Sequence, residues 1–258
     1  MTSANEALVR TALHELFVQK DASALSRFWS DPYPQHNPGI ANGVASLAPL
    51  VPFTESYELK RILSEGDLVV AHGIARGWAP QPVVVFDIFL VRDGKITEHW
   101  DVMQPLVQET VSGRSQTDGP TEVTDRALTS ANKAVVQGLL DDVLYAHRME
   151  KLTTYISETS YAQHNPGVGD NLSGFGAAMA ELAKVGLKMA YQKTYRVVAD
   201  GNFVFTHSEG EFAGRHVAFA DLFRVEGGNI VEHWDCIQDV VRAEDAKNPN
   251  GMFVQITK

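Results

Sequence analysis

The heptapeptide Tyr33-Pro-Gln-His-Asn-Pro-Gly39 returns as Tyr161-Ala-Gln-His-Asn-Pro-Gly167, identical at six of seven positions. Asp87 to Gln104 (DIFLVRDGKITEHWDVMQ) returns as Asp221 to Gln238 (DLFRVEGGNIVEHWDCIQ), identical at ten of eighteen positions. The repeat of roughly 130 residues is far longer than the 20–50 of stacked solenoid units, so each copy must own a hydrophobic core. A chain of 258 residues divides comfortably into two such domains. Gln108 to Asp125 is polar, rich in Ser, Thr and Gly, and lacks hydrophobic periodicity, so it reads as the connection. The expected division is a first domain over 1–117, a linker over 118–126, and a second domain over 127–258 that carries the C-terminal tail.

Each half shows the same order of periodicities. Apolar residues at three- and four-residue spacing predict amphipathic helices over Asn5 to Gln19 and Ala131 to Ala146. Short helices follow near Ala22 to Trp29 and Glu150 to Ser157, and again near Val44 to Leu50 and Leu172 to Lys184. Four strands then close each half: Tyr57 to Ser64, Leu68 to Arg76, Val83 to Val91 and Lys95 to Gln104, and in the second half Tyr191 to Val198, Phe203 to Phe212, His216 to Val225 and Asn229 to Gln238. Asp93-Gly94 and Gly227-Gly228 mark tight hairpins between the last two strands. Helices followed by strands predict an α+β fold with curved, mostly antiparallel sheets.

Composition removes several functions. A net charge of −10 with no basic cluster argues against nucleic acid and anionic membrane surfaces as partners. The apolar run Val83 to Val91 is broken by Asp87 and is half a membrane span, and the N-terminus lacks the basic start and apolar run of a signal peptide, so a cytoplasmic protein is expected. The single cysteine, Cys236, excludes an internal disulfide framework and a cysteine zinc cluster. Gly-x-Gly-x-x-Gly and Gly-x-Ser-x-Gly are absent, so no cofactor is expected.

The repeated polar residues single themselves out. Six of nine histidines form three pairs: His36 with His164, His72 with His207, and His99 with His233. Asp87 pairs with Asp221 and Asp101 with Asp235. Strand alternation puts His99, Asp101 and Met103 on one face and Glu98 and Trp100 on the other, while Val85, Asp87 and Phe89 share a face. A carboxylate inside VVVFDIFLV sits among apolar neighbours, which raises its pKa toward neutrality, as proton transfer requires.

The order of elements, the Tyr-x-Gln-His-Asn-Pro motif and the ending Gly-x-Ile-x-Glu-His-Trp-Asp resemble SnoaL-like proteins of the nuclear transport factor 2-like superfamily, twice over nearly the whole chain. The combination is most similar to the branch described as SnoaL-like aldol-condensation proteins. The resemblance implies two tandem conical α+β barrels, packed as an internal pseudo-dimer, with further homo-oligomers left open. It also implies an apolar pocket in each and cofactor-independent acid/base chemistry of the lyase or isomerase type on a small apolar carbonyl compound. By the same resemblance Asp101 and Asp235 match the general acid/base of the SnoaL-like cyclases. Those cyclases carry a histidine where this chain has Asp87 and Asp221, so His99 and His233 are expected to share the catalytic work. The expected substrate-binding residues are Tyr33, His36, Asn37 and His72, with Tyr161, His164, Asn165, His207 and Glu209 in the second half.

Two other functions compete. Three histidines and one or two aspartates per half is also the donor set of a mononuclear metal site, built from His36, His72 and His99 and from His164, His207 and His233. A noncatalytic module that captures a small apolar ligand is the third. The halves differ beside their candidates: Ile74 follows His72 where Glu209 follows His207, and Val85 stands where Phe219 does, so the pockets should differ in size and charge.

Overall fold

A computed structural model describes residues 3–254 of the chain. It contains two compact units, Met1–Leu106 with Val240–Lys258, and Val107–Asp239. This division differs from the expected one. Residues 107–117 belong to the second unit and the tail from Val240 to the first, because the tail's polar groups find their hydrogen-bond partners there: Lys247 N–H donates to Pro38 O at 2.8 Å and Asn248 Nδ2 to Asn37 O at 2.8 Å.

In the first unit, helix α1 (Ala4–Leu13) starts where Ser3 Oγ accepts the Glu6 N–H at 3.0 Å, and it runs on as a π-helical turn over His14–Val18. Its Val9, Ala12, Leu13, Leu16 and Phe17 are buried. Two short helices, α2 (Ala24–Phe28) and α3 (Leu50–Phe53), and a 3-10 turn over Val44–Leu47 complete the helical layer. The sheet is a meander of β1 (Ser56–Glu65), β2 (Leu68–Arg76), β3 (Val83–Arg92) and β4 (Lys95–Pro105), antiparallel throughout. Asp93 and Gly94, with φ of 50° and 70°, form the expected tight turn in which both central residues are left-handed.

The second unit repeats this plan with α4 (Thr129–Gly138), a π-helical stretch over Leu139–Tyr145, and α5 (Leu152–Tyr155). A two-residue β5 (Ala162–Gln163) and a 14-residue α6 (Asn171–Lys184) follow. Strands β6 (Met189–Asp200), β7 (Phe203–Phe212), β8 (Arg215–Glu226) and β9 (Asn229–Asp239) are antiparallel, and β5 joins the edge parallel to β9. In the first unit a single parallel bridge, Gln35 to His99, occupies the corresponding place. Among the described residues no helix is long and apolar enough to cross a membrane.

Register decides which residues meet. Asp87 pairs with Asp101 and Phe89 with His99, so all four share one face with Ala71 and Val85. That face packs under α1, with Val69, Ala71, Val85 and Phe89 in one cluster with Val9, Leu13 and Phe17. His72 pairs with Phe86, which puts both on the other face with Trp100. The second unit keeps this parity, with Asp221 opposite Asp235 and His207 opposite Ala220.

Candidate active site

Under the helices of each unit lies a cavity, about 240 Å³ in the first and about 370 Å³ in the second. Asp87, His99 and Asp101 line the first, and Asp221, His233 and Asp235 the second. In both triads one donor atom per residue lies within 4.8 Å of the others.

The geometry of the first site follows from the Gln-His-Asn-Pro segment bridging to β4. His36 N–H donates to His99 O at 2.9 Å, and alternation along this bridge turns Gln35 and Asn37 toward the cavity and His36 away from it. Gln35 Oε1 takes the Asn37 N–H at 3.0 Å, which fixes it as the acceptor for His99 Nδ1 at 2.8 Å. His99 Nδ1 therefore donates, and Nε2 donates to Asp87 Oδ1 at 3.0 Å. Burial disfavours the charged ring, but the Asp87 hydrogen bond and the charges of Asp101 and Asp87 outweigh it and raise the His99 pKa.

Asn37 does two jobs. Its Oδ1 accepts the Gly39 N–H at 2.7 Å, closing the turn that Asn-Pro-Gly predicts, and this leaves Nδ2 to donate to Asp101 Oδ2 at 2.6 Å. Asp101 Oδ1 is buried without a hydrogen-bond partner. Burial, with the Asp87 charge, pushes the Asp101 carboxyl up to about 6 against the pull of His99 and Asn37.

The second site repeats each contact. His233 bonds Gln163 Oε1 at 3.0 Å and Asp221 Oδ1 at 3.1 Å, and its pKa is likewise raised. Asn165 Nδ2 donates to Asp235 Oδ2 at 2.6 Å, and burial lifts Asp235 to about 6.

Tyr33 and Tyr161 line the cavities, each with its pKa raised chiefly by burial, so the hydroxyls stay protonated and able to donate. Sequence reasoning missed Gln35, Gln163, Tyr57 and Tyr191. Tyr57 Oη donates to Asp87 Oδ2 at 2.9 Å, and Tyr191 Oη to Asp221 Oδ1 at 3.0 Å. Tyr57 and Tyr191 are separated by the same 134 residues as Asp87 and Asp221, a signal the repeat carried. Tyr57→Phe leaves one oxygen of a buried carboxylate without its donor and should cost about 1–3 kcal/mol in urea unfolding.

Five expected binding residues lie elsewhere. His36 stacks on Trp100 with ring centroids 4.5 Å apart and bonds Glu98 Oε1 at 2.8 Å, and His164 stacks on Trp234 and bonds Glu232 Oε1 at 2.9 Å. His72 and His207 sit on the face away from the cavities, where Arg61 and Arg196 approach their Nδ1 atoms at 3.3 and 3.2 Å. Glu209 shares that face and bonds Tyr195 and His216, each at 2.8 Å. The three-histidine metal sets are therefore not assembled. The residues that converge are two carboxylates and one imidazole per unit, and both imidazole nitrogens already serve Gln and Asp side chains.

A family model described as a SnoaL-like domain matches residues 136–233. Among solved structures, TsrD from Streptomyces laurentii is 23% identical, with 40% of this chain and 91% of that one covered at a TM-score of 0.35. A steroid delta-isomerase from Pseudomonas aeruginosa is 22% identical, covering 40% and 82% at 0.35. A protein with a cystatin-like fold from Xanthomonas campestris is 22% identical, covering 42% and 91% at 0.37. No curated protein matches the chain. Residues 136–233 are thus similar to a SnoaL-like domain, and the first unit repeats the second unit's motifs, its order of four antiparallel strands and its buried Asp-His-Asp triad.

Proposed function

We propose that each unit is a cofactor-independent acid/base enzyme of the lyase or isomerase type, acting on a small apolar carbonyl compound. The observation that carries this reading is the Asp101 carboxyl: buried, lining a cavity in which Asp87, His99, Asn37 and Tyr33 stand among apolar side chains, with Oδ1 unpartnered and a pKa of about 6. Such a carboxylate accepts a proton from carbon beside a carbonyl and returns it elsewhere, which serves a double-bond shift, an aldol closure or a dehydration. Tyr33 donates to the developing enolate oxygen, and the raised His99 pKa places positive charge beside the site as Asp101 neutralises. Asp235, Tyr161 and His233 take the same parts in the second unit.

The walls define the ligand class. Among the described residues neither cavity is lined by a Lys or Arg, and the imidazoles of His99 and His233 are already bonded to Asp87 and Asp221, so a carboxylate or phosphate ester would meet acidic groups with no free counter-charge. In the second unit α6 turns Phe175, Met179 and Leu182 to the cavity, yet none of its residues is buried. An apolar ligand filling that space covers them, at roughly 25 cal/mol per Å². Capture without chemistry is the second reading, and this half-open apolar wall is what favours it.

Trp78 lines the smaller first cavity, held by a 2.8 Å hydrogen bond from Nε1 to Thr54 Oγ1 and by Phe17 at 5.1 Å, while Phe212 and Phe219 line the larger second one. After β7 the second unit has a tight turn at Ala213-Gly214, with φ of 52° and 77°. Trp78→Ala should raise the first cavity's affinity for the second cavity's ligand about tenfold, or 1.4 kcal/mol, seen as a change from one to two equivalents bound in calorimetry.

The function is tested by incubating the protein with small ketones and enones in D₂O and following deuterium incorporation beside the carbonyl by NMR. Catalysed exchange, lost in the Asp101→Asn, Asp235→Asn double variant, supports the enzyme. Ligand binding without exchange across the panel makes the protein a binder.

A further inference from the structure

The Gln-His-Asn-Pro segments are clamped from outside the sheet, and the clamps come from the chain segments that follow β4 and β9. In the first unit the clamp is 247–251, in the tail beyond β9. Asn248, only 6% exposed, donates through Nδ2 to Asn37 O at 2.8 Å and Ile40 O at 2.9 Å. Asn250 Nδ2 donates to Gln35 O at 3.0 Å and to Asn42 Oδ1 at 2.6 Å, the atom that also receives the Gln35 N–H at 2.9 Å. Lys247 N–H donates to Pro38 O at 2.8 Å, and Gly251 O takes His36 Nδ1 at 2.7 Å.

In the second unit the clamp is 111–115, which follows β4. Val111 N–H donates to Pro166 O at 3.0 Å and Ser115 O takes His164 Nδ1 at 2.6 Å, as Lys247 and Gly251 do in the first unit. Arg114 Nε bonds Asp170 Oδ1 at 2.9 Å, and that oxygen receives the Gln163 N–H at 2.9 Å, as Asn42 does for Gln35. Two segments without sequence similarity thus make one set of contacts, which packing alone does not require.

We propose that these segments are positioning straps exchanged along the chain: the segment after β9 sets the first site through Asn248 and Asn250, and the segment after β4 sets the second through Arg114. The clamped residues include Gln35 and Asn37, whose side chains orient His99 and Asp101, so the strap holds the proton carrier in register without touching substrate. Each site therefore depends on chain that leaves the other sheet. The role assigned to the straps rests on the acid/base reading, while their grip on the loops does not.

The test uses the full chain with Asn248→Ala and Asn250→Ala together, read by carbon-13 NMR titration of Asp101 and Asp235 and by hydrogen exchange over 33–42 and 161–170. Asp87, His99 and His36 act on Asp101 besides Asn37, and all three remain in this variant. Loosening Asn37 removes a hydrogen bond that lowers Asp101, so its midpoint should rise by about half a unit, and exchange over 33–42 should quicken about tenfold. Asp235 and 161–170 should stay unchanged. Arg114→Ala should give the mirror image, moving Asp235 alone. Unchanged midpoints in both variants, or equal changes in both units, overturn the proposal. Wild-type midpoints near 4 with one-sided changes would sink the acid/base reading and leave the straps standing.

Discussion

Asp101→Asn is expected to lower turnover in the first cavity by about 10²–10⁴-fold, the usual contribution of a positioned acid/base group, and Asp235→Asn to do the same in the second. The amide keeps the shape of the carboxylate, and its carbonyl oxygen can still accept the 2.6 Å hydrogen bond from Asn37. What it loses is the ability to take a proton. Because the cavities differ in volume, about 240 against about 370 Å³, the two variants should lose different substrates. A panel of ketones of graded size, assayed against each variant, checks this. Equal losses on every substrate would contradict two distinct sites. Wild-type turnover should fall as pH drops through about 6, where Asp101 and Asp235 become protonated.

The same substitution should make the protein more stable at neutral pH. The folded chain holds Asp101 at about 6 against an ordinary aspartate value of 3.8, so between those values the native state binds more protons than the unfolded state. Stability therefore falls as pH rises through that window, and above it the ionised group costs about 3 kcal/mol at 1.36 kcal/mol per unit. Asparagine removes that cost, and Asp101→Asn should raise stability at pH 7 by about 2–3 kcal/mol while flattening the pH dependence between 4 and 6. His99 adds to the wild-type trend with the same sign: its raised pKa contributes stability that is complete below 6.5 and is lost as pH rises through its folded pKa. Wild type should accordingly be more stable near pH 5 than near pH 8. Chemical denaturation across that range checks both statements. A variant no more stable than wild type, with the same pH slope, would show that Asp101 is not held ionised at a cost.

Much of this arrangement was legible in the repeat. Strand positions and both hairpins follow from alternation and from Asp93-Gly94 and Gly227-Gly228, and the placing of Asp101 beside His99 and of Asp235 beside His233 on one face follows from strand parity alone. The faces of His72 and His207 needed more, because parity between strands depends on register, and only the pairing of Ala71 with Asp87 and Thr206 with Asp221 turns those histidines away. His36 and His164 were misplaced for a related reason. Asn-Pro-Gly marks a turn, but nothing in the sequence shows that the preceding residues bridge to the last strand and so alternate between faces. Asn37 is both turn former and site residue because an amide has two ends, and the structure uses one for each. Tyr57 and Tyr191 lie 30 residues ahead of their aspartates and meet them only across the sheet. The tail beyond β9 carries no periodicity, so its return to the first unit had no signal in the sequence.

The central claim is that each unit holds a carboxyl poised near neutrality in an apolar cavity. Carbon-13 detection of the aspartate carboxyl carbons from pH 4 to 8, with Asp101→Asn and Asp235→Asn to assign the signals, tests it without knowledge of the substrate. The account predicts two carboxyls with midpoints near 6, one vanishing with each substitution. Both carboxyls fully ionised at pH 5 would contradict it.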